Sequence, residues 1–448
     1  MLSLLSAELG VHHLRTAHSR RDVALLLVSR FVRMASFGAF APVLILFLRG
    51  LAIPEERIGF FLSATLAGDV LVSLAVTYTA DKVGRRRMMA LGSLLMCLSG
   101  LAFNFSSSFL VLVIAAVVGI ISPSGNEVGP FSALEQAALS QLTEPEGRVY
   151  VLMWHQVLGF FGISAGNMLC GFLTSAAERA GKLQQDVYRP VFAACAVLGG
   201  VKVLLSFFMT RTVEVDHEPV NASPAAAASP TARPTDSERQ PLLPPDNPLE
   251  RTAPPPPPPA LPMGRLVALC LIFGLDSFAS SLAPLSFVSY YLRTDFFAPI
   301  PLITRVFSIT ALIGCASQLA AGPISKRLGI IMTMVATHMP AQLLTIALAF
   351  APNLSSALTF FIARACINTM DASVRGAFLA AVIPKASRTR FLGVINICKT
   401  LAATPGPTLS LGLASLGGMR WAFVLTGSIK LIYDVCLFVG FQTAKLEH

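Results

Sequence analysis

Apolar residues run along this chain in long blocks, each ended by a short polar or basic turn. A helical membrane crossing takes about 20 mostly apolar residues, so each block predicts one span. Six lie at 22–48, 56–80, 88–107, 109–139, 149–173 and 188–210, and six more at 264–292, 297–322, 328–350, 354–383, 390–414 and 418–441. They are numbered here as spans 1 to 12. Between the two sets the pattern stops: 212–262 is rich in Pro, Ala and Ser and carries an unbroken proline run, Pro254 to Pro259. Such a stretch cannot bury a core. The expected organisation is an N-terminal tail over 1–21, a first six-helix bundle over 22–211, a disordered linker over 212–262, a second bundle over 263–441 and a short tail over 442–448. The fold class expected is all-α and integral to the membrane.

Composition points the same way. Of 448 residues, 54% are hydrophobic and 13% charged, where soluble domains carry about 25% charged residues. A net charge of +10 raises the question of nucleic acid. The basic residues instead sit in turns, and no basic stripe alternates with aromatics, so no nucleic-acid partner is expected. With both termini and the linker on one side, 19 of the 34 Lys and Arg fall in turns and tails on that side and 7 on the other. Short loops rich in Lys and Arg stay cytoplasmic, which places both termini in the cytosol. The eight cysteines stand singly within apolar blocks and no Cys-x-x-Cys occurs. Neither a metal site nor a disulfide framework is indicated, and no cofactor is expected. Met1 to Asp22 is too polar and basic for a secretory signal.

The turn between spans 2 and 3 reads Thr77-Tyr78-Thr79-Ala80-Asp81-Lys82-Val83-Gly84-Arg85-Arg86-Arg87. The two sets of six also repeat. Glu135 through Arg148 to Gly166 aligns with Arg375 through Arg388 to Gly406 at a constant offset of 240 (375 − 135). Ser36-Phe37 and Ala41-Pro42 in span 1 echo Ser277-Phe278 and Ala283-Pro284 in span 7, and Gly322 to Gly329 repeats the basic turn without its aspartate. On these residues, 22–441 resembles the major facilitator superfamily. Its loop between helices 2 and 3 has the form Gly-x-x-x-Asp-Arg/Lys-x-Gly-Arg/Lys-Arg/Lys; here Thr77 stands in place of the first glycine. The resemblance implies twelve transmembrane helices in two pseudo-symmetric six-helix bundles, with substrate held near the midplane between them. It also implies a cavity lined by spans 1, 4, 7 and 10. Asp81, Gly84, Arg85 and Arg86 would then form a cytosolic gate, with Asp81 meeting the amino end of span 11 around Arg388 to Leu392. Ser122 to Pro130, Leu275 to Phe278, Thr337 to Pro340 and Arg364 to Arg375 look like an efflux-type subgroup. Span 5 carries Gly159, Gly162 and Gly166 but has Asn167 where antiporter members have proline.

A charged side chain at mid-bilayer costs roughly 2.5–3.5 kcal/mol, so charges within the spans must face water or one another. On span 10, Arg364, Asn368, Asp371 and Arg375 recur at helical spacing and share a face. Asp371 and Arg375 can pair along the helix. Arg364 is then expected to meet Asp276 of span 7, which would take up a proton when substrate releases the arginine; otherwise the pair only tightens the second bundle. In the first half, Glu127 of span 4 is expected to act on substrate or proton with one of Arg30 and Arg33 of span 1; otherwise Arg30 is a snorkelling anchor near the cytosolic face. Asp69 of span 2 is either a coupling proton site or a structural bond. Lys399 of span 11 completes the candidate substrate- and proton-binding set, with Glu135 and His155 behind it. Lys430 and Asp434 read as an i, i+4 structural pair and His338 as a packed histidine.

The function expected from these features is secondary active transport of a small organic solute by alternating access. Protons are the expected coupling ion, with antiport (efflux) ahead of symport of an organic anion. No Gly-x-x-x-x-Gly-Lys-Ser/Thr loop occurs, so ATP is not the driver. No His/Asp or His/Glu cluster has catalytic spacing, so an enzyme is not expected. A non-transporting receptor or scaffold of the same fold would need a structured tail, which 212–262 does not supply. The expected partners are the solute, protons and the bilayer, with the chain working as a monomer. Glu238 to Leu243 reads as an acidic dileucine signal, which leaves the plasma membrane and a vacuolar or lysosomal membrane both open.

Overall fold

The computed structural model describes residues 19–119, 130–144, 147–183, 186–214, 263–383 and 388–441. Glu127, the dileucine signal and most of the expected linker lie outside the described residues, as do the side chains of Asp81 and Asp371. Span 1 is made by α1 (Arg20–Phe40) and α2 (Leu44–Gly50), span 2 by α3 (Glu55–Val83) and span 3 by α4 (Arg85–Phe105). The described parts of span 4 are α5 (Phe109–Gly119) and α6 (Pro130–Leu142), followed by α7 (Arg148–Arg179) and α8 (Arg189–Phe208) as spans 5 and 6. In the second half, α9 (Met263–Leu282) and α10 (Leu285–Asp295) make span 7, α11 (Ile300–Leu328) span 8 and α12 (Ile330–Ala349) span 9. Span 10 is α13 (Leu354–Asn368) and α14 (Met370–Val382), span 11 is α15 (Arg388–Ala403) and α16 (Gly406–Ser415), and span 12 is α17 (Met419–Phe441). The chain is an all-helical membrane protein of two six-helix bundles. Among the described residues nine stretches are long and apolar enough to cross alone, and the remaining spans, 4, 10 and 11, are each made of helices too short to do so.

The divisions have local causes. Proline lacks the N–H and collides with the preceding turn. Spans 1 and 7 accordingly break at their repeat-related pairs, Ala41-Pro42 and Ala283-Pro284, and span 11 breaks at Thr404-Pro405. Span 10 breaks at Thr369 without a proline, and α11 supplies what the break leaves open. Ser317 Oγ donates to Cys366 O at 2.6 Å and Thr369 Oγ1 donates to Gly314 O at 3.2 Å. Both basic turns pivot on glycine in the positive-φ region, Gly84 at +98° and Gly329 at +83°, where a side chain is disfavoured.

Within the first bundle α1 lies directly on the glycine face of α7. A Cβ at Gly162 would come within 2.4 Å of Phe31 O, and one at Gly166 within 1.9 Å of Ala35 O. Small residues let membrane helices approach this closely. The span 5 glycines are thereby explained by packing, independently of any antiporter motif.

Among the described residues the bundles meet chiefly at one end. A single apolar cluster at the end bearing Arg49 joins Phe47, Phe61 and Phe192 of the first half to Phe287, Phe307 and Phe423 of the second. At the end bearing Gly84 the clusters are separate: one around Phe273, Phe378 and Tyr433 lies wholly in the second half, and two others lie wholly in the first. The cross-bundle hydrogen bonds follow the same division. Ser164 and Ser308 hydroxyls lie 2.6 Å apart, Ser63 and Thr408 hydroxyls 2.7 Å apart, and the Tyr290 hydroxyl donates to Glu55. The Thr408 N–H also donates to Ser63 Oγ at 3.2 Å. Thr408 lies in the first turn of α16, where backbone donors have no partner within the helix. The break at Pro405 creates the donor, and the opposite bundle takes it.

Gly166→Ala is expected to force α1 from α7 and cost about 1–3 kcal/mol, read as a lower melting temperature in detergent. Gly200→Ala, where an added Cβ meets nothing within 4 Å, should melt as the parent does.

Candidate functional site

Each bundle encloses one buried carboxylate surrounded by basic side chains. In the first it is Glu135 of α6, 1% exposed. Arg33 Nη2 donates to Glu135 Oε2 at 2.8 Å, His155 Nε2 stands 3.2 Å from the same oxygen, and Lys202 Nζ is 3.6 Å from Oε1. Ser29 Oγ adds a longer bond at 3.5 Å. Beside them Arg30 is fully buried, donating from Nη2 to Gln156 Oε1 at 3.0 Å and from Nη1 to Ser132 Oγ at 3.5 Å. Gly159 leaves it room: a Cβ there would lie 3.0 Å from Arg30 Nε.

In the second bundle the carboxylate is Asp276 of α9, 3% exposed. Arg375 Nη1 donates to Asp276 Oδ2 at 2.6 Å and Lys430 Nζ to Oδ1 at 2.9 Å. His338 stands between carboxylates, with Nδ1 2.8 Å from Asp434 Oδ1 and Nε2 4.0 Å from Asp276 Oδ1. The Arg375 guanidinium lies 5.9 Å from the ring centres of both Phe273 and Tyr433, a cation–π arrangement.

The two clusters are related by the repeat with their signs exchanged. Glu135 and Arg375 are equivalent at the offset of 240 (375 − 135). The first half places the acid on its fourth span and the arginine on its first, and the second half does the reverse. Both take a lysine from their last span. In both, the guanidinium reaches outward while the carboxylate is sealed: the Arg33 side chain is 20% exposed against 1% for that of Glu135, and the Arg375 side chain 19% against 4% for that of Asp276.

Several expectations change. Asp276 pairs with Arg375 and Lys430 and not with Arg364. Arg364 sits in α13 with no hydrogen bond or ion pair among the described residues, and its buried Nε has no acceptor. Arg33 works with Glu135; Glu127 lies outside the described residues. Lys430 and Asp434 are not a local pair, because the lysine reaches Asp276 and the aspartate holds His338. Asp69 lies half-buried in α3 and Lys399 half-buried in α15, neither within the two clusters. Lys202 was missed because one lysine in an apolar run carries no pattern until α8 is packed on α1.

At the Gly84 turn the partner found is also unexpected. Glu214 accepts the Arg85 backbone N–H at 2.6 Å, at the first residue of α4. Gln141 bridges the two, accepting from Arg85 Nη1 at 2.7 Å and donating to Glu214 O at 2.9 Å. An anion at a helix N-terminus is favourable in both hydrogen bonding and dipole. Asp22 anchors the same segment through the Thr210 N–H at 2.9 Å and the Thr212 hydroxyl at 2.7 Å, with Val213 buried beneath. Arg86 is half-buried in the first turn of α4. The expected meeting of Asp81 with Arg388 to Leu392 falls on side chains largely outside the described residues.

The sequence signature of the major facilitator superfamily matches residues 26–374 and again 269–446. The chain belongs to the major facilitator superfamily. A full-length relative is the uncharacterized membrane protein YJR124C of Saccharomyces cerevisiae, 30% identical over 442 residues, covering 95% of this chain and 96% of that one. Among solved structures, a bacterial homolog of the human lysosomal transporter Spinster, inward-facing and unoccupied, superposes with TM-score 0.66 at 14% identity, covering 94% of this chain and 96% of its own. The D-xylose-proton symporter gives 0.69 at 13% over 94% and 98%. The human organic anion transporter MFSD10 gives 0.53 at 16% over 93% and 99%. At these identities the structural likeness shows the superfamily fold alone.

Removing one partner of a buried charge cluster leaves the others without counter-charge, at about 3–5 kcal/mol. Glu135→Gln should therefore melt well below the parent in detergent, and adding Lys202→Met should recover part of the loss. A single variant that melts normally would show that Glu135 is not neutralising its neighbours.

Proposed function

We propose that the protein is a secondary active transporter of a small organic solute, working by alternating access and driven by protons, with antiport (efflux) as the leading mode. The observation that carries this reading is the one-ended contact between the bundles. A seal at the Arg49 end and separate clusters at the Gly84 end are what one extreme of a rocking cycle requires. The bias of basic residues assigns the Gly84 end to the cytosol, so this conformation opens inward. Ionisable groups placed to take part in coupling are Asp69 and the two histidines that touch the buried carboxylate clusters. Asp276 and Glu135 already face two or more cations each, which disfavours them as the coupling site. Asp81, Gly84, Arg85 and Arg86 remain the proposed cytosolic gate, with Glu214 fixing its turn.

Flux in proteoliposomes under an imposed pH gradient tests the reading: accumulation should follow the gradient and collapse with a protonophore, and gradient-independent flux would remove proton coupling. Two variants test the cycle. With native cysteines replaced, Ser63→Cys with Thr408→Cys should form a disulfide across the seal, stopping flux until reductant is added; full flux with the disulfide formed would refute opening at that end. Asp81→Ala should slow transport while the protein still reaches the membrane, and unchanged kinetics would remove the gate role.

A further inference from the structure

We propose that Arg364 receives the anionic group of the cargo, and that the carried solutes are organic anions bearing a carboxylate, sulfonate or phosphate. This rests on the transport reading above and adds its substrate class. Arg364 lies about 15 Å along the helix from Leu354, near the middle of a hydrocarbon core about 30 Å thick. One and two turns earlier on its stripe, Phe361 and Ala357 are buried, and Phe361 packs on Phe307 of α11 with ring centres 5.2 Å apart. The stripe therefore faces protein and not lipid. The surrounding turn is fixed by uncharged groups. Ser317 holds Cys366 O, Thr369 holds Gly314 O, and Gln342 Nε2 donates to Asn368 Oδ1 at 3.4 Å. Phe160 of the first bundle reaches the same place, 3.3 Å from where a Cβ on Gly314 would stand. Arg364 thus lies beside the seam between bundles.

Among the described residues the side chain nonetheless has no counter-charge of its own. Glu135 is occupied by Arg33 and Lys202, Asp276 by Arg375 and Lys430, and Asp434 by His338. Among the described residues Arg364 forms no ion pair and its buried Nε has no acceptor. Sealing an unpaired guanidinium from water is costly, whereas a carboxylate, sulfonate or phosphate matches its fork of donors. Closing the bundles over an anion removes that cost, so binding and closure favour each other.

The test uses the full chain in proteoliposomes with p-aminohippurate, succinate, taurocholate and glucose 6-phosphate against glucose, uridine and choline. Anions should move and the others should not. Arg364→Gln should raise KM for the moving anion about 10- to 100-fold, the loss expected for one charged hydrogen-bonding partner. Arg364→Lys, which keeps the charge without the fork, should fall between. Both variants should elute as monodisperse protein with melting close to the parent. Transport of glucose, uridine or choline in place of the anions would overturn the assignment and leave the transport reading standing, as would an unchanged KM in Arg364→Gln. A parent protein that moves nothing under any gradient would remove both.

Discussion

The constraint on which this structure rests is that a charge inside a low-dielectric bundle must be neutralised within it. Coulomb attraction strengthens as water is excluded, and so does the desolvation cost. The chain meets this twice, with one acid and two permanent cations around each centre. Glu135 ties together spans 1, 4 and 6 through Arg33 and Lys202. Asp276 ties spans 7, 10 and 12 through Arg375 and Lys430. Helix ends, breaks and glycine contacts then arrange the remaining spans around these centres. Membrane helices gain little from hydrophobic attraction to one another, so polar centres of this kind carry much of the specificity of assembly.

Exchange of sign between the repeats follows from the same constraint. What must be kept is the neutralising contact between the first and fourth spans of each half, and either helix can contribute the acid. Glu135 and Arg375 occupy equivalent positions with opposite charge, and the partner charge moves to the other helix in step. The lysine stays on the last span of each half because its long stem reaches whichever carboxylate is presented.

The fold was legible in the sequence because its signals are long and repeated. Twelve apolar blocks, two basic turns and paired Ala-Pro breaks each report on backbone and hydrophobicity, which act locally. The two clusters were legible only in part. Helical spacing on span 10 brought Arg364 and Arg375 to notice, but spacing ranks residues on one helix and says nothing of how far the helix opposite is shifted. That shift gives Asp276 to Arg375 and leaves Arg364 without it. Lys202 stood as a lone charge in an apolar run, and Lys430 was assigned to Asp434 on its own helix because spacing cannot see Asp276 opposite. Glu214 was hidden differently: it sits just within a proline-rich stretch whose composition gives no sign of the short helical turn at Arg211–Val213.

Where the charges lie also bears on how firmly the bundles are held to each other. All the ion pairs of the Glu135 cluster are internal to the first bundle, and all those of the Asp276 cluster are internal to the second. Among the described residues the bonds that cross between bundles come from hydroxyls and one backbone N–H, Ser164 to Ser308, Ser63 to Thr408 and Tyr290 to Glu55, set among apolar and glycine contacts. A neutral hydrogen bond contributes about 0.5–1.5 kcal/mol net and is readily exchanged for water, while breaking a buried charge cluster costs several times more. Parting the halves would therefore break weak contacts and spare the two charge clusters. Each bundle thus satisfies its central carboxylate from within, while the described bonds across the seam are individually weaker and more readily exchanged.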